Sequence, residues 1–227
     1  MEAEMGDSSY KIYCAGPLFN PKEKEEMAQI AFCLEKNGYS VFLPQRDGLE
    51  FAELFPIFLN KGIEAQIALK ILNMAIFSLD AFQVITSDGL VLNMNGRVPD
   101  EGSVVEAGIA WAHNKIVVIF KSDLRSLVQG NCNPMILGLG SFSFVNNYDE
   151  IVDAFNSKFS SEIQKLFQTT NSNFDTTTRS GKEISKYLTT KKSDSDVADL
   201  LIYLFREKAC KTSEDQKQSY FQAGTQR

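Results

Sequence analysis

"GLVLNMNGRVPDEGSVVEAGIAWAHNKIVVIF", residues 89–120, decides the fold. It opens on a nearly continuous apolar run, 89–94, as a strand buried on both faces of a parallel sheet requires. A loop with glycine and proline follows. Apolar residues at helical spacing then run from about Ser103 to His113, and a second apolar strand occupies 116–121. Outward toward the N-terminus the pattern repeats. "YKIYCA" (10–15) is a β-rich run that breaks at "GPLFNP", and Met27, Ile30, Ala31 and Leu34 lie at helical spacing after Pro21. That helix stops at Asn37-Gly38, and "YSVFLP" (39–44) is a further strand. Residues 63–79 are apolar on more than one face and predict a largely buried helix, while 80–88 fit helix or strand equally. Toward the C-terminus, "FSFV" (142–145) is a candidate fifth strand and Asp149–Lys158 a last helix. Strands alternating with helices define an α/β fold: a doubly wound, flavodoxin- or Rossmann-like parallel sheet of about five strands with flanking helices. In such a sheet, ligands bind at the carboxyl ends of the strands.

Three segments are expected: a flexible N-terminus (1–9), one main domain (10–160), and a polar linker with a C-terminal helix (161–227). "QTTNSNFDTTTRSGKE" (168–183) holds too few apolar residues to order itself, and "DVADLLIYLFREK" (196–208) is an amphipathic candidate.

Composition narrows the function. A net charge of -6 and a pI near 5.0 argue against gripping nucleic acid or anionic lipid, so a small-molecule ligand is expected. No basic leader and no apolar run of membrane-spanning length is evident, which predicts a cytoplasmic protein without a membrane partner. Cys14, Cys33, Cys132 and Cys210 are scattered, without a C-x-x-C pair, and His113 is the only histidine. A multi-histidine metal site is impossible, and carboxylates must carry most acid/base chemistry.

Loops after strands hold the polar candidates: Tyr13 with Phe19, Gln45 with Asp47, Asp88, Asn93, Asp100 and Glu106. Glu106 has two readings. At the start of its helix the positive dipole end favours an ionised carboxylate, which suits a nucleophile. Ser103 to Glu106 also fits the capping box S-x-x-E, in which the glutamate only reaches back to a backbone N–H. Asp100 after Pro99 and Asp88 before a strand have bland readings as turn and surface residues. Trp111 and His113 are expected to pack, and "KSDLR" (121–125) to be a solvated loop.

"KIYCAGPLFN", "GYSVFLPQRDG" and "SDGLVLNMNGRVPDEGSVVEAGIAWAHNKIVVIFKSDLR" resemble the nucleoside 2-deoxyribosyltransferase family in order and spacing, over about residues 10–150. The resemblance implies a nucleoside-salvage enzyme that moves 2-deoxyribose between nucleobases through an ester on Glu106, with no cofactor and no metal. It implies Asp88 as the acid at the base, Asp100 at the sugar hydroxyls or the base, and Tyr13 orienting Glu106. Phe19, Gln45 and Asp47 would line the substrate, and Asn93 and Gly102 complete that set. Asn133 and Met135 in "NCNPM" match an element contributed by a neighbouring subunit, which implies a homo-oligomer with shared pockets. Two alternatives stand beside transfer: hydrolysis of nucleosides or nucleoside 5′-monophosphates, and a non-catalytic nucleotide-sensing module.

Overall fold

The computed structural model describes residues 10–96, 98–123 and 133–160, together with 190, 200 and 203. The candidate helix at 196–208 lies almost wholly outside the described residues. The chain divides into two compact units, Met1–Leu166 and Phe167–Arg227, and the sheet belongs to the first.

That unit begins with β1 (Lys11–Ala15) and α1 (Pro21–Lys36). Asn20 caps α1 by accepting from the Glu23 N–H, and Pro21 sits in the first turn, where its missing N–H costs nothing. The helix ends at Asn37, and Gly38 takes a φ of 87°, a turn that a side chain would resist. Next come β2 (Ser40–Phe42), α2 (Pro44–Asp47), α3 (Phe51–Asn60) and α4 (Ala65–Thr86). The unit closes with β3 (Gly89–Asn93), α5 (Glu101–Ala112), β4 (Ile116–Phe120), α6 (Pro134–Leu139) and α7 (Tyr148–Ser160).

The sheet is parallel, in the order β2-β1-β3-β4, and Tyr13 sits opposite Phe42 on one side and Leu90 on the other. It has four strands, not five. "FSFV" makes a single bridge, Phe120 with Val145, because Ser141 and Phe142 adopt φ near 60° and leave no extended run before it.

Alternation along the strands divides the core. Ile12, Cys14, Val91, Val118 and Phe120 meet the buried stripes of α1 and α7, including Met27, Leu34, Ile151 and Phe155. Tyr13, Ala15, Leu90, Leu92, Val117 and Ile119 point to the other face, against Val84 of α4, Ala107 and Ala110 of α5, and Ile136 of α6. Gly16, just past β1, is where backbone and core meet most closely: a Cβ there would lie 2.3 Å from the Met27 sulfur.

Two further expectations fail. The helix predicted over 63–79 continues to Thr86 and is not largely buried, since only Ala68, Leu72 and Val84 are closed from solvent. It is also long and apolar enough, by length and composition, to cross a membrane, contrary to the reading that no such run exists. Its apolar residues spread around the helix, and α5 and α3 cover only part of that circumference.

Candidate active site

Tyr13 and Glu106 form the centre of the polar cluster. The Tyr13 hydroxyl donates to Glu106 Oε1 at 2.7 Å across the junction of β1 and α5. Tyr13 is fully buried on the middle of a central strand, so its ring is locked and its hydroxyl has one direction to point. Burial, reinforced by the carboxylate of Glu106, pushes the phenol well above its ordinary range and keeps it a donor.

The structure removes one of the two readings of Glu106, the capping box. The helix starts at Glu101, and its cap is Asp100, whose Oδ2 accepts from both the backbone N–H and the hydroxyl of Ser103. Ser103 is the third helical residue and buried, so no capping box spans Ser103 to Glu106. Glu106 falls in the second turn, beyond the reach of the helix-end charge, and burial raises its pKa to about 7. The Tyr13 hydrogen bond works the other way, and the charges of Asp80 and Asp100 add to the rise. The carboxylate held ionised by a helix terminus is thereby corrected to one held near neutrality by its surroundings.

Asp80 is the residue that sequence reasoning missed. It sits half-buried on α4, near enough to Tyr13 and Glu106 for its charge to raise both, and its own pKa is raised by burial. Among the described residues its carboxylate makes no hydrogen bond. A carboxylate inside a long apolar helix was itself the signal, since such a group is seldom placed there without a partner or a task.

Asp88 goes elsewhere. It is exposed and its Oδ2 accepts from the Lys11 N–H at 2.8 Å, at the amino edge where β1 and β3 begin. The residue before a parallel strand lies at the edge opposite the ligand crevice, so the structure does not bring it to Glu106.

The other candidates are spread along the carboxyl side. Asn93 is buried; its amide donates to Glu26 and its Oδ1 accepts from the Asn95 N–H. Asp47 accepts from the Leu43 N–H and pairs with Arg46; these bonds outweigh its burial and lower its pKa. Gln45 donates to the Lys24 carbonyl and lines a cleft of about 490 Å³ with Phe32, Glu35 and Arg46, and neither Tyr13 nor Glu106 borders that cleft. Phe19 stands 81% exposed in the loop after β1, and Gly102 is exposed on the first turn of α5. Asn133 caps α6 by accepting from the Met135 N–H, and Met135 is 82% exposed. Trp111 packs on the core as expected; His113, expected to pack, is the exposed C-cap of α5. Lys121, expected in a solvated loop, is buried and donates to the Met94 carbonyl. Among the described residues no group of three or more His, Cys, Asp or Glu is placed to hold a metal ion.

A parallel α/β sheet that holds a buried tyrosine against a half-buried glutamate, with two further carboxylates beside them, fits a protein that works on its ligand through carboxylates. The family is narrower still. Residues 12–177 match the model of the nucleoside 2-deoxyribosyltransferase family, and the chain belongs to that family. Its members are glycosyltransferases or glycosidases that act on nucleosides. Among solved structures, a conserved protein from Enterococcus faecalis V583 is similar in fold, with 22% identity and a TM-score of 0.51 over 66% of this chain and 99% of its own. A 2-deoxyribosyltransferase from Bacillus psychrosaccharolyticus has 19% identity and a TM-score of 0.45 over 62% of this chain and 89% of its own. A CMP N-glycosidase from Clostridium botulinum has 15% identity and a TM-score of 0.39 over 65% of this chain and 98% of its own. No curated protein is matched by the chain.

Proposed function

We propose that the protein transfers 2-deoxyribose from one nucleobase to another, with Glu106 as nucleophile. The observation that carries this is the 2.7 Å hydrogen bond from the buried Tyr13 to the half-buried Glu106, whose pKa the charges of Asp80 and Asp100 help to raise. Family membership supplies the substrate class.

Tyr13 donates to Glu106 and so favours its ionised form, and burial raises the pKa of Asp80 above its ordinary value. The Glu106 carboxylate forms a bond to C1′ as the C1′–N bond to the base breaks, and Asp80 gives its proton to the departing nitrogen. An incoming base then attacks C1′, the ester bond breaks back to the Glu106 carboxylate, and the nitrogen's proton returns to Asp80. Asp100 caps α5 through Oδ2 alone, which leaves Oδ1 to meet a sugar hydroxyl. The acid role expected of Asp88 passes to Asp80 on this reading. A neighbouring copy completes the pocket through Asn133 and Met135, whose exposure suits that contact.

The test is deoxyinosine with and without adenine. Deoxyadenosine forming only when adenine is present is the expected result. Equal release of free 2-deoxyribose in both mixtures, with no deoxyadenosine, would assign the chain to hydrolysis instead.

A further inference from the structure

We propose that Asn95 and Glu26 are positioning residues for the reaction: together they hold the loop between β3 and α5 so that Asp100 stands in place beside Glu106. This deepens the reading above, and it rests on that reading only in taking Asp100 as the contact to the sugar.

The side chain of Asn95 is saturated. Its Oδ1 accepts from the N–H groups of Ser122 and Asp123 at 2.8 and 2.9 Å, and its amide donates to Glu26 Oε1 at 2.7 Å and to the Ser122 hydroxyl at 2.9 Å. An asparagine side chain has two donors and two acceptor sites, so every one is met. The partners fix which way the amide points, since a backbone N–H only donates and a carboxylate only accepts. Glu26 is committed in the same way: Oε1 takes Asn95, and Oε2 takes the amide of the buried Asn93 at 2.8 Å. Three segments are thereby tied at the carboxyl edge of the sheet: α1 through Glu26, the end of β3 through Asn93 and Asn95, and the exit of β4 through Ser122 and Asp123. Lys121 adds a further tie, its buried ammonium donating to the Met94 carbonyl at 2.7 Å.

The knot lies where it bears on the chemistry. Only residues 96–99 separate Asn95 from Asp100. Gly96 turns the chain at a φ of 107°, which a side chain would resist, and Asp100 ends the loop as the cap of α5. A loop so short, pinned at both ends, leaves its carboxylate little room to wander. The charge of Asp100 helps to raise the pKa of Glu106, so a displaced Asp100 is felt at the nucleophile as well as at the sugar. Stability alone does not call for this arrangement, because apolar cover would tie the same segments without any demand on direction. A polar network with its members satisfied fixes one geometry, and one geometry is what a carboxylate facing a reacting sugar needs.

The test is kcat for release of the base from deoxyinosine, measured on the full chain with the melting temperature of each variant beside it. Asn95→Asp sets an acceptor against Glu26 Oε1, while the Ser122 hydroxyl can turn to donate, so the conflict is confined to the pair. Glu26→Gln creates the opposite conflict, amide against amide, once its oxygen has taken Asn93. Each single variant should fold and lose about 10- to 100-fold in kcat, as when a reacting contact shifts by about an ångström. The double variant exchanges donor for acceptor at constant charge and should return to within about threefold of the parent. In an Asp100→Asn background, Asn95→Ala should cost no more than about twofold further, because the group through which it acts is already lost. Single variants at the parent rate, a double variant no better than the singles, or full additivity with Asp100→Asn overturns the assignment. Single variants that do not fold overturn it as well, since the tie is then structural. A parent that releases base but transfers no sugar overturns the transferase reading and leaves these comparisons standing, whereas a parent that releases no base overturns both.

Discussion

The two faces of the sheet share the same strands and end differently. On the α1–α7 side, stripes spaced three and four apart interlock, and the outward faces of those helices are largely polar. On the α4–α5 side the strands are covered equally well, yet α4 turns large apolar residues outward and the carboxylates gather beneath it. The first face is a finished core. The second holds Tyr13, Asp80 and Glu106 in surroundings dry enough to move their pKa values. The face that gathers the carboxylates is built from helices that do not follow the simple pattern of one wet side and one dry side.

The largest effect that would sharpen this contrast is Glu106→Gln, for which we expect transfer to fall by roughly 10⁴-fold or more, as when an enzyme loses its nucleophile. The fold should survive, with a pH signature. The folded pKa near 7 lies above the ordinary 4.5, so the folded state holds this proton more tightly than the unfolded chain. The contribution is present below the unfolded value and is lost as pH rises through about 7, a change of about 3 kcal/mol. Denaturation at pH 5 and pH 8 should therefore show the Gln variant gaining on the parent at the higher pH. Parent activity should rise through about pH 7 as Glu106 ionises.

Next in size is Asp80→Asn, which should lower kcat by about 10²- to 10⁴-fold, the usual worth of a general acid, while Asp88→Asn leaves kcat within about twofold. The reverse ordering would move the chemistry to the other edge of the sheet. On the finished face, Phe155→Ala should cost about 3–5 kcal/mol of stability in urea titrations, because Phe155 is fully buried between α7 and the sheet. Tyr13→Phe should be milder, about 10- to 100-fold in kcat. Its pH profile should shift to higher pH, because the hydrogen bond that holds the Glu106 pKa down is gone. An unshifted profile would mean that Tyr13 does not govern that ionisation.

Much of this molecule was legible residue by residue. Ile12, Val91 and Val118 lie in nearly continuous apolar runs, and a strand covered on both sides has to look that way. Met27, Ile30, Ala31 and Leu34 name one side of a helix, and Pro21 and Gly38 mark its ends through their backbone chemistry alone. The Asp100–Glu106 spacing drew attention to the helix on which Tyr13 meets Glu106, and it did so because local order along a chain survives folding.

Local order could not say what meets across the sheet. Glu106 follows Ser103 by the interval of a capping box, and only the start of α5 at Glu101, with Tyr13 arriving from another strand, shows which bond the side chain makes. Asp80 and Asp88 are eight residues apart and equally acidic in the sequence; the course of α4 carries one to the site, and the start of β3 leaves the other at the far edge. The fifth strand and the buried α4 failed for a related reason. A run of apolar residues states that cover is wanted, whereas the partner that supplies it, strand, helix or second chain, depends on which surfaces the rest of the fold has already used.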